Sequence, residues 1–385
     1  MKPVVKKLLC WAVPVAALTI GVPLVQAAQQ SEAQAAVQPL SVEKSVLPAE
    51  HGLTEAAEQY RLIYPSVSGV DGKTPRRDSA AVFIPRGPMP KGGWPVVVWA
   101  HGTVGVANDC APSLNPRTVR DSQYLNTWLS LGFAIVAPDY AGLGSGGLHH
   151  YLNARAEAWS VLDGVRAALK NFPLRNQLVL VGQSQGAHAA FASAGWQPKY
   201  APELNIRMTV LTGTPYFDSE TTVAQLFGVN DKATPQVGDP KIPYVFYIYL
   251  AAAESLPKLK PSTYFQPAAL PVLAEANKLC ITPLTEKVMK EKLNAANSLK
   301  PGIQSLLEAS TEAMHYPTLS IDSPVFIGIG GADINVPTVM QQRFAHAVRL
   351  GGTVVEVHEY PGLDHSGTVN PSLRDSVPFV LKYLK

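Results

Sequence analysis

From about residue 58 the apolar positions fall into short runs separated by longer amphipathic stretches. Tyr60 to Val67 and Ser79 to Ile84 read as strands on either side of the turn signal Gly69-Val70-Asp71-Gly72. Val96 to Ala100, Ala134 to Ala137, Leu178 to Val181 and Ile206 to Leu211 are short and continuously apolar, the mark of strands covered on both faces. Between them, Asp121 to Leu131 and Asn153 to Asn171 carry helical spacing. In the second, Ala158, Val161, Leu162, Val165, Ala168 and Leu169 share one face. The alternation stops at Gly213 and resumes after Ser320. A strand then follows at Val325 to Ile329, a helix at Thr338 to Leu350, a strand at Val354 to His358 and a last helix at Pro371 to Leu384. The interrupting stretch is Pro-rich, with helical pieces such as Val245 to Glu254 and Glu286 to Ala295. Strands alternating with helices predict an α/β fold, a mostly parallel sheet flanked by helices. The core is expected over 51–212 and 321–385, with a mainly helical cap or lid inserted over 213–320. Residues 28–50, rich in Ala, Gln and Ser, read as a flexible leader.

The N-terminus bears on where this core works. Lys2, Lys6 and Lys7 precede the apolar run Leu8 to Val25, and Val25-Gln26-Ala27 offers small residues for cleavage, the pattern of a signal peptide over 1–27. The competing reading is a membrane anchor, against which Pro14, Gly21 and Pro23 weigh. Export to the periplasm or beyond is therefore expected. Three of the 32 basic residues leave with the signal, so the remaining basic and acidic residues balance, and no nucleic acid or polyanionic partner is implied. Cys10 leaves too. Cys110 and Cys280 remain, and in an oxidising compartment they most simply form one disulfide, the alternative being two buried free thiols.

The candidate chemistry centres on Gly182-Gln183-Ser184-Gln185-Gly186, directly after a buried strand and before the helix-favouring Ala187 to Ala194. In that context Gly-x-Ser-x-Gly is a nucleophile elbow, which lifts the serine hydroxyl over the sheet edge at a helix N-terminus. A tight structural turn is the competing reading. A serine nucleophile needs a base, and the base needs an orienting acid. On such an elbow both follow later in the chain. Asp333, in a Gly-containing loop past the strand Val325 to Ile329, is the candidate acid, although it also suits a turn or helix cap. Asp218 is the reserve. His365, after the last strand, is the candidate base; Asp364 adjoins it too closely to reach back to the same ring. Of the other histidines, His188 fits packing in the elbow helix, and His101 fits a loop-bracing hydrogen bond. For the oxyanion, one backbone N–H is expected from Gln185 and another from Thr103, or alternatively Gly102, in His101-Gly102-Thr103-Val104-Gly105. No metal or cofactor is implied: the sequence lacks His-x-x-x-His, Cys-x-x-Cys and a Gly-Lys phosphate loop. Gly142-Leu143-Gly144-Ser145-Gly146-Gly147 reads as a flexible loop near the site.

From about residue 58 to its end the chain resembles the secretory lipase family. The resemblance rests on His101 to Gly105 followed by Cys110-Ala111-Pro112-Ser113, on Pro138-Asp139-Tyr140-Ala141-Gly142-Leu143-Gly144, on Gly182 to Gly186, on Gly331-Ala332-Asp333 and on His365. It implies an α/β-hydrolase fold, a helical lid before the acid and hydrolysis of acyl esters, lipid or smaller. The expected partner is then a small-molecule or lipid ester. Any contact with a lipid interface would be transient and made through the cap, and no obligate protein partner is evident. Within the cap, Phe246, Tyr247, Tyr249 and Leu250 are candidate walls of an acyl pocket, although each also suits cap core. The alternatives are an aminopeptidase or amidase on the same triad, which would need a grip on a free amino terminus, an acyltransferase, and a non-catalytic binding protein of this fold.

Overall fold

A computed structural model describes residues 41–227 and 237–384. The signal expected over 1–27 lies outside the described residues, as does most of the leader. The rest of the leader carries secondary structure. Residues Glu43–Val46 form a strand (β1) whose backbone pairs antiparallel with β2 (Ala56–Val67), from Glu43 opposite Ile63 to Val46 opposite Tyr60. Its four side chains are all exposed, so no apolar face marked it; backbone hydrogen bonds hold it, and Leu47 just after it is buried.

The nine strands among the described residues form one sheet in the order β1-β2-β3-β5-β4-β6-β7-β8-β9. β3 (Pro75–Pro85) runs antiparallel to both neighbours. β5 (Ala134–Pro138), β4 (Trp94–Ala100), β6 (Leu174–Gln183), β7 (Ile206–Thr212), β8 (Val325–Gly330) and β9 (Val355–Tyr360) run parallel. Alternate residues of one strand serve opposite faces, as the period of two requires. Val96 and Val98 pack in one core with Val161 and Phe191, while Val97 and Trp99 pack in another with Trp128 and Phe379. Helices α2 (Ala154–Asn171) and α3 (Gln185–Tyr200) cover the first face; α1 (Val119–Ser130) covers the second. Thr118 caps α1 and Asn153 caps α2, each side chain accepting a first-turn N–H.

Between β7 and β8 the chain builds a helical cap with its own apolar core, where Phe246, Tyr247, Phe265, Leu284 and Leu306 meet. Its main helices are α4 (Ile242–Ser255), α5 (Ile281–Lys290) and α6 (Ile303–Met314). The helix expected over Glu286 to Ala295 is displaced by five residues at its start. α5 begins after Cys280 and stops at Glu291, and Lys292 takes a positive φ of 55°. Asn294 then opens a separate short helix, Ala295–Ser298, through a reciprocal capping box. After β8, α7 (Thr338–Leu350) and the C-terminal α8 (Leu373–Leu384) complete the layers. The Cys110–Cys280 disulfide is present, with Cα atoms 5.4 Å apart, and joins the loop after β4 to the start of α5. Among the described residues no helix is long and apolar enough to cross a membrane.

Candidate active site

Ser184 sits between β6 and α3 with φ 58° and ψ −124°, outside the regions open to most L-residues. The glycines on either side make this possible. A Cβ on Gly182 would lie 2.1 Å from Gly186 O, and one on Gly186 would lie 1.8 Å from Ala100 O. The Ser184 N–H is fixed to Thr212 O at 2.9 Å. The residue occupies the N-cap position of α3 but makes no side-chain cap bond, so its hydroxyl remains available at the positive end of the helix.

Asp333 and His365 come together in the loops after β8 and β9. The His365 Nδ1–H donates to Asp333 Oδ2 at 2.7 Å, and the Asp333 side chain is almost fully buried. Gln341 Nε2 donates to the same oxygen at 2.9 Å, while the Asn335 and Val336 N–H groups donate to Oδ1, each at 2.9 Å. The two readings of Asp333 therefore coexist: one oxygen shapes the turn and the other holds the imidazole. Asp218, the reserve acid, is engaged elsewhere, with Arg343 at 2.9 Å and with Thr221. His365 Nε2 does not hydrogen-bond to Ser184 in this structure. It accepts instead from Gln183 Nε2 at 3.1 Å, and Arg120 orients that amide by donating to Gln183 Oε1 at 3.4 Å.

Two contributors were not singled out in the sequence. Gly213, at φ +62°, leaves room for the imidazole, since a Cβ there would lie 2.7 Å from His365 Cε1. Tyr244 from α4 is half-buried near Asp333; desolvation, then the carboxylate charge, raises its pKa to about 12. A glycine directly after a strand that neighbours the elbow strand was the available signal for Gly213.

Gln185 is the first residue of α3, where backbone N–H groups have no partner within the helix. Across the site, Thr103 Oγ1 lies 2.8 Å from the Tyr151 hydroxyl. A Cβ on Gly102 would lie 2.4 Å from Gln183 Oε1, so a side chain there would displace the Gln183 amide. His101 braces the loop: its ring nitrogens face Gly102 O at 2.7 Å and Asp139 O at 3.2 Å, and burial lowers its pKa. The Val104 carbonyl accepts from Ile281 N–H at 2.8 Å, tying this loop to the cap beside the disulfide. The Gly-rich segment at 142–147 is anchored rather than loose, with Gly144 N–H donating to Asn108 O at 3.0 Å and Gly146 N–H to Asn108 Oδ1 at 2.8 Å.

Two cavities meet at Ser184. One, of about 70 Å³, is apolar and bounded by Tyr151, Phe217, Tyr244, Val245, Ile248 and Met340. The other is an open cleft of about 400 Å³ whose walls include Thr103, Arg117, Arg120, Gln183 and His365. Of α4, it is Tyr244, Val245 and Ile248 that face the apolar cavity. Phe246, Tyr247 and Tyr249 are buried in the cap core, and Leu250 packs against it, so the expected walls lie on the wrong faces of the right helix. Among the described residues no group of His, Cys, Asp and Glu could hold a metal ion.

Comparison with known proteins places this geometry in context. The family model described as secretory lipase matches residues 113–235. Lipase A of Moesziomyces aphidis is 30% identical over 195 residues, which span 47% of this chain and 40% of that protein. A secreted triacylglycerol lipase of Malassezia globosa is 24% identical over 360 residues, 85% of this chain and 69% of its own length. The chain thus spans less than half of the first relative. Among solved structures, lipase A of Candida antarctica in its closed state superposes with a TM-score of 0.68 at 22% identity, covering 90% of this chain and 82% of that one.

Proposed function

We propose that this chain, which has the α/β-hydrolase fold and resembles the secretory lipase family over residues 113–235, is an exported serine carboxylic ester hydrolase acting through Ser184, His365 and Asp333. The observation that carries this reading is the strained Ser184 at the start of α3, facing the same cleft as a His365–Asp333 pair closed at 2.7 Å.

The substrate carbonyl enters over Ser184 with its acyl chain in the apolar cavity and its alcohol in the polar cleft. Gln183 releases His365 Nε2, which then accepts the Ser184 proton as Oγ attacks the carbonyl carbon. Asp333 keeps the Nδ1–H tautomer and stabilises the imidazolium. The backbone N–H groups of Gln185 and Thr103 receive the oxyanion. The imidazolium returns its proton to the leaving alcohol, and an acyl-enzyme remains. Water, deprotonated by His365, then releases the acid. Export is supported by the basic and apolar N-terminal segment and by the secreted relative.

The test is hydrolysis of p-nitrophenyl esters from two to sixteen carbons by the wild type and Ser184→Ala. A fall in kcat of about 10⁴-fold or more in the variant is expected. Equal rates in both proteins would remove Ser184 from the mechanism.

A further inference from the structure

Behind the elbow lies a polar cluster that the mechanism above does not use. Glu157, in the first turn of α2, is 1% exposed and enclosed by His149, His188 and Gln185, all buried. Its Oε1 accepts the Leu152 N–H at 3.0 Å and Gln185 Nε2 at 2.8 Å. Its Oε2 lies 3.3 Å from His188 Nδ1, and His188 Nε2–H donates to Met314 O at 2.7 Å. Gln185 Nε2 is also 2.8 Å from His149 Nε2. His149 Nδ1 faces the Ala141 carbonyl at 2.9 Å and must carry the proton there, which leaves Nε2 as an acceptor. Burial holds the His149 pKa at about 4, so the ring is neutral near pH 7.

Both hydrogens of the Gln185 amide are therefore taken, one by Glu157 and one by His149. The amide cannot turn over, because its oxygen would then face a carboxylate. Gln185 Oε1 is buried without a partner, so the side chain is held through its two donors alone. This residue directly follows Ser184, and its backbone N–H is one of the two assigned to the oxyanion. We propose that Glu157 is a positioning residue for the oxyanion hole, which together with His149 clamps the Gln185 side chain and so fixes the direction of the Gln185 backbone N–H. An oxyanion donor is effective only when it is set before the charge develops. The clamp supplies that setting at the one peptide where strained backbone meets the first helical turn. This inference rests on the serine hydrolase reading.

Gln185→Met tests it, because the change keeps side-chain length and the backbone N–H but removes both side-chain donors. A fall in kcat of about tenfold is expected with KM within twofold, and affinity for benzeneboronic acid, which forms a tetrahedral adduct on the serine, should fall in parallel. Glu157→Gln, which keeps an acceptor toward Gln185, should lose less than about threefold, a rescue that a purely structural role would not produce at the boronate step. Wild-type kcat and boronate affinity in Gln185→Met would overturn the proposal. Should that variant not fold, His149→Leu decides, since it removes one of the two acceptors. A selective loss of kcat there supports the clamp, and wild-type kcat overturns it. A wild type that neither hydrolyses esters nor reacts with a fluorophosphonate at Ser184 would sink the hydrolase reading itself; a reactive wild type with indifferent variants sinks only the clamp.

Discussion

Beneath Ser184 the side chains are held by directed hydrogen bonds, whereas the cap wall opposite is held by apolar contact. Asp333 accepts four N–H donors and the amide of Gln185 spends both of its own. Across the cavity, Val245 and Ile248 of α4 offer shape and no hydrogen bond. In the proposed mechanism the core side is the one that fixes where the carbonyl carbon and the proton must be. The cap side fixes only how much room an acyl chain finds. The proposed function would then place chemistry and chain-length choice in separate parts of the chain, and the two should be separately alterable.

The largest effect should come from the polar side. Asp333→Asn is expected to lower kcat by about 10⁴-fold with KM little changed, measured on a short p-nitrophenyl ester. A fall under tenfold would mean that the carboxylate serves the turn at Asn335 and Val336 and not the base.

The crosslink between the two sides comes next. Replacing Cys110 and Cys280 by Ser releases a closure of 170 residues and should lower unfolding free energy by up to about 5 kcal/mol in urea melts. If cap and core were independently fixed, the loss would be far smaller.

His149 should make stability depend on acid. Its folded pKa is about 4, below the usual value of 6.5. Above pH 6.5 both folded and unfolded chains carry it neutral, and it contributes nothing. Between about pH 6.5 and pH 4 only the unfolded chain binds the proton, so stability falls, by about 3 kcal/mol at the lower limit. His149→Leu should flatten that part of a thermal-unfolding profile; an unchanged slope would assign the acid sensitivity elsewhere.

The smallest effect belongs to the cap. Val245→Trp should reduce the rate ratio of long to short acyl esters by about tenfold, with the acetate rate within threefold of wild type. A uniform loss at all lengths would mean that the cap also sets the catalytic groups.

The same division governs what the sequence reveals. The candidates Ser184, Asp333 and His365 could be named from the sequence because each follows a short buried strand in a Gly-containing loop, and because their order is constrained. The parallel sheet was legible from continuously apolar runs. β1 was not, because its side chains are all exposed and none is inward-facing and apolar, while its backbone pairs with β2. Glu157 gave a faint signal, an acid one position before Ala158 on the inward stripe of α2, but its partners lie in two other segments that no spacing links to it. Cap helix α4 is apolar on most of its circumference, so periodicity cannot separate the cavity face at Tyr244, Val245 and Ile248 from the core face at Phe246 and Tyr249.

Synthesis proceeds in one direction, and the crosslink gives that direction a consequence. Cys110 emerges 170 residues ahead of Cys280, so the loop bearing Thr103 exists as a thiol-bearing strand connection while β5 to β7, the elbow and most of the cap are still being made. Its final anchor, the Val104 carbonyl on Ile281, belongs to the very residue after the second cysteine. The elbow is therefore made before the second sulfur, and a molecule whose two sulfurs have joined is one in which the start of α5 lies against the loop after β4.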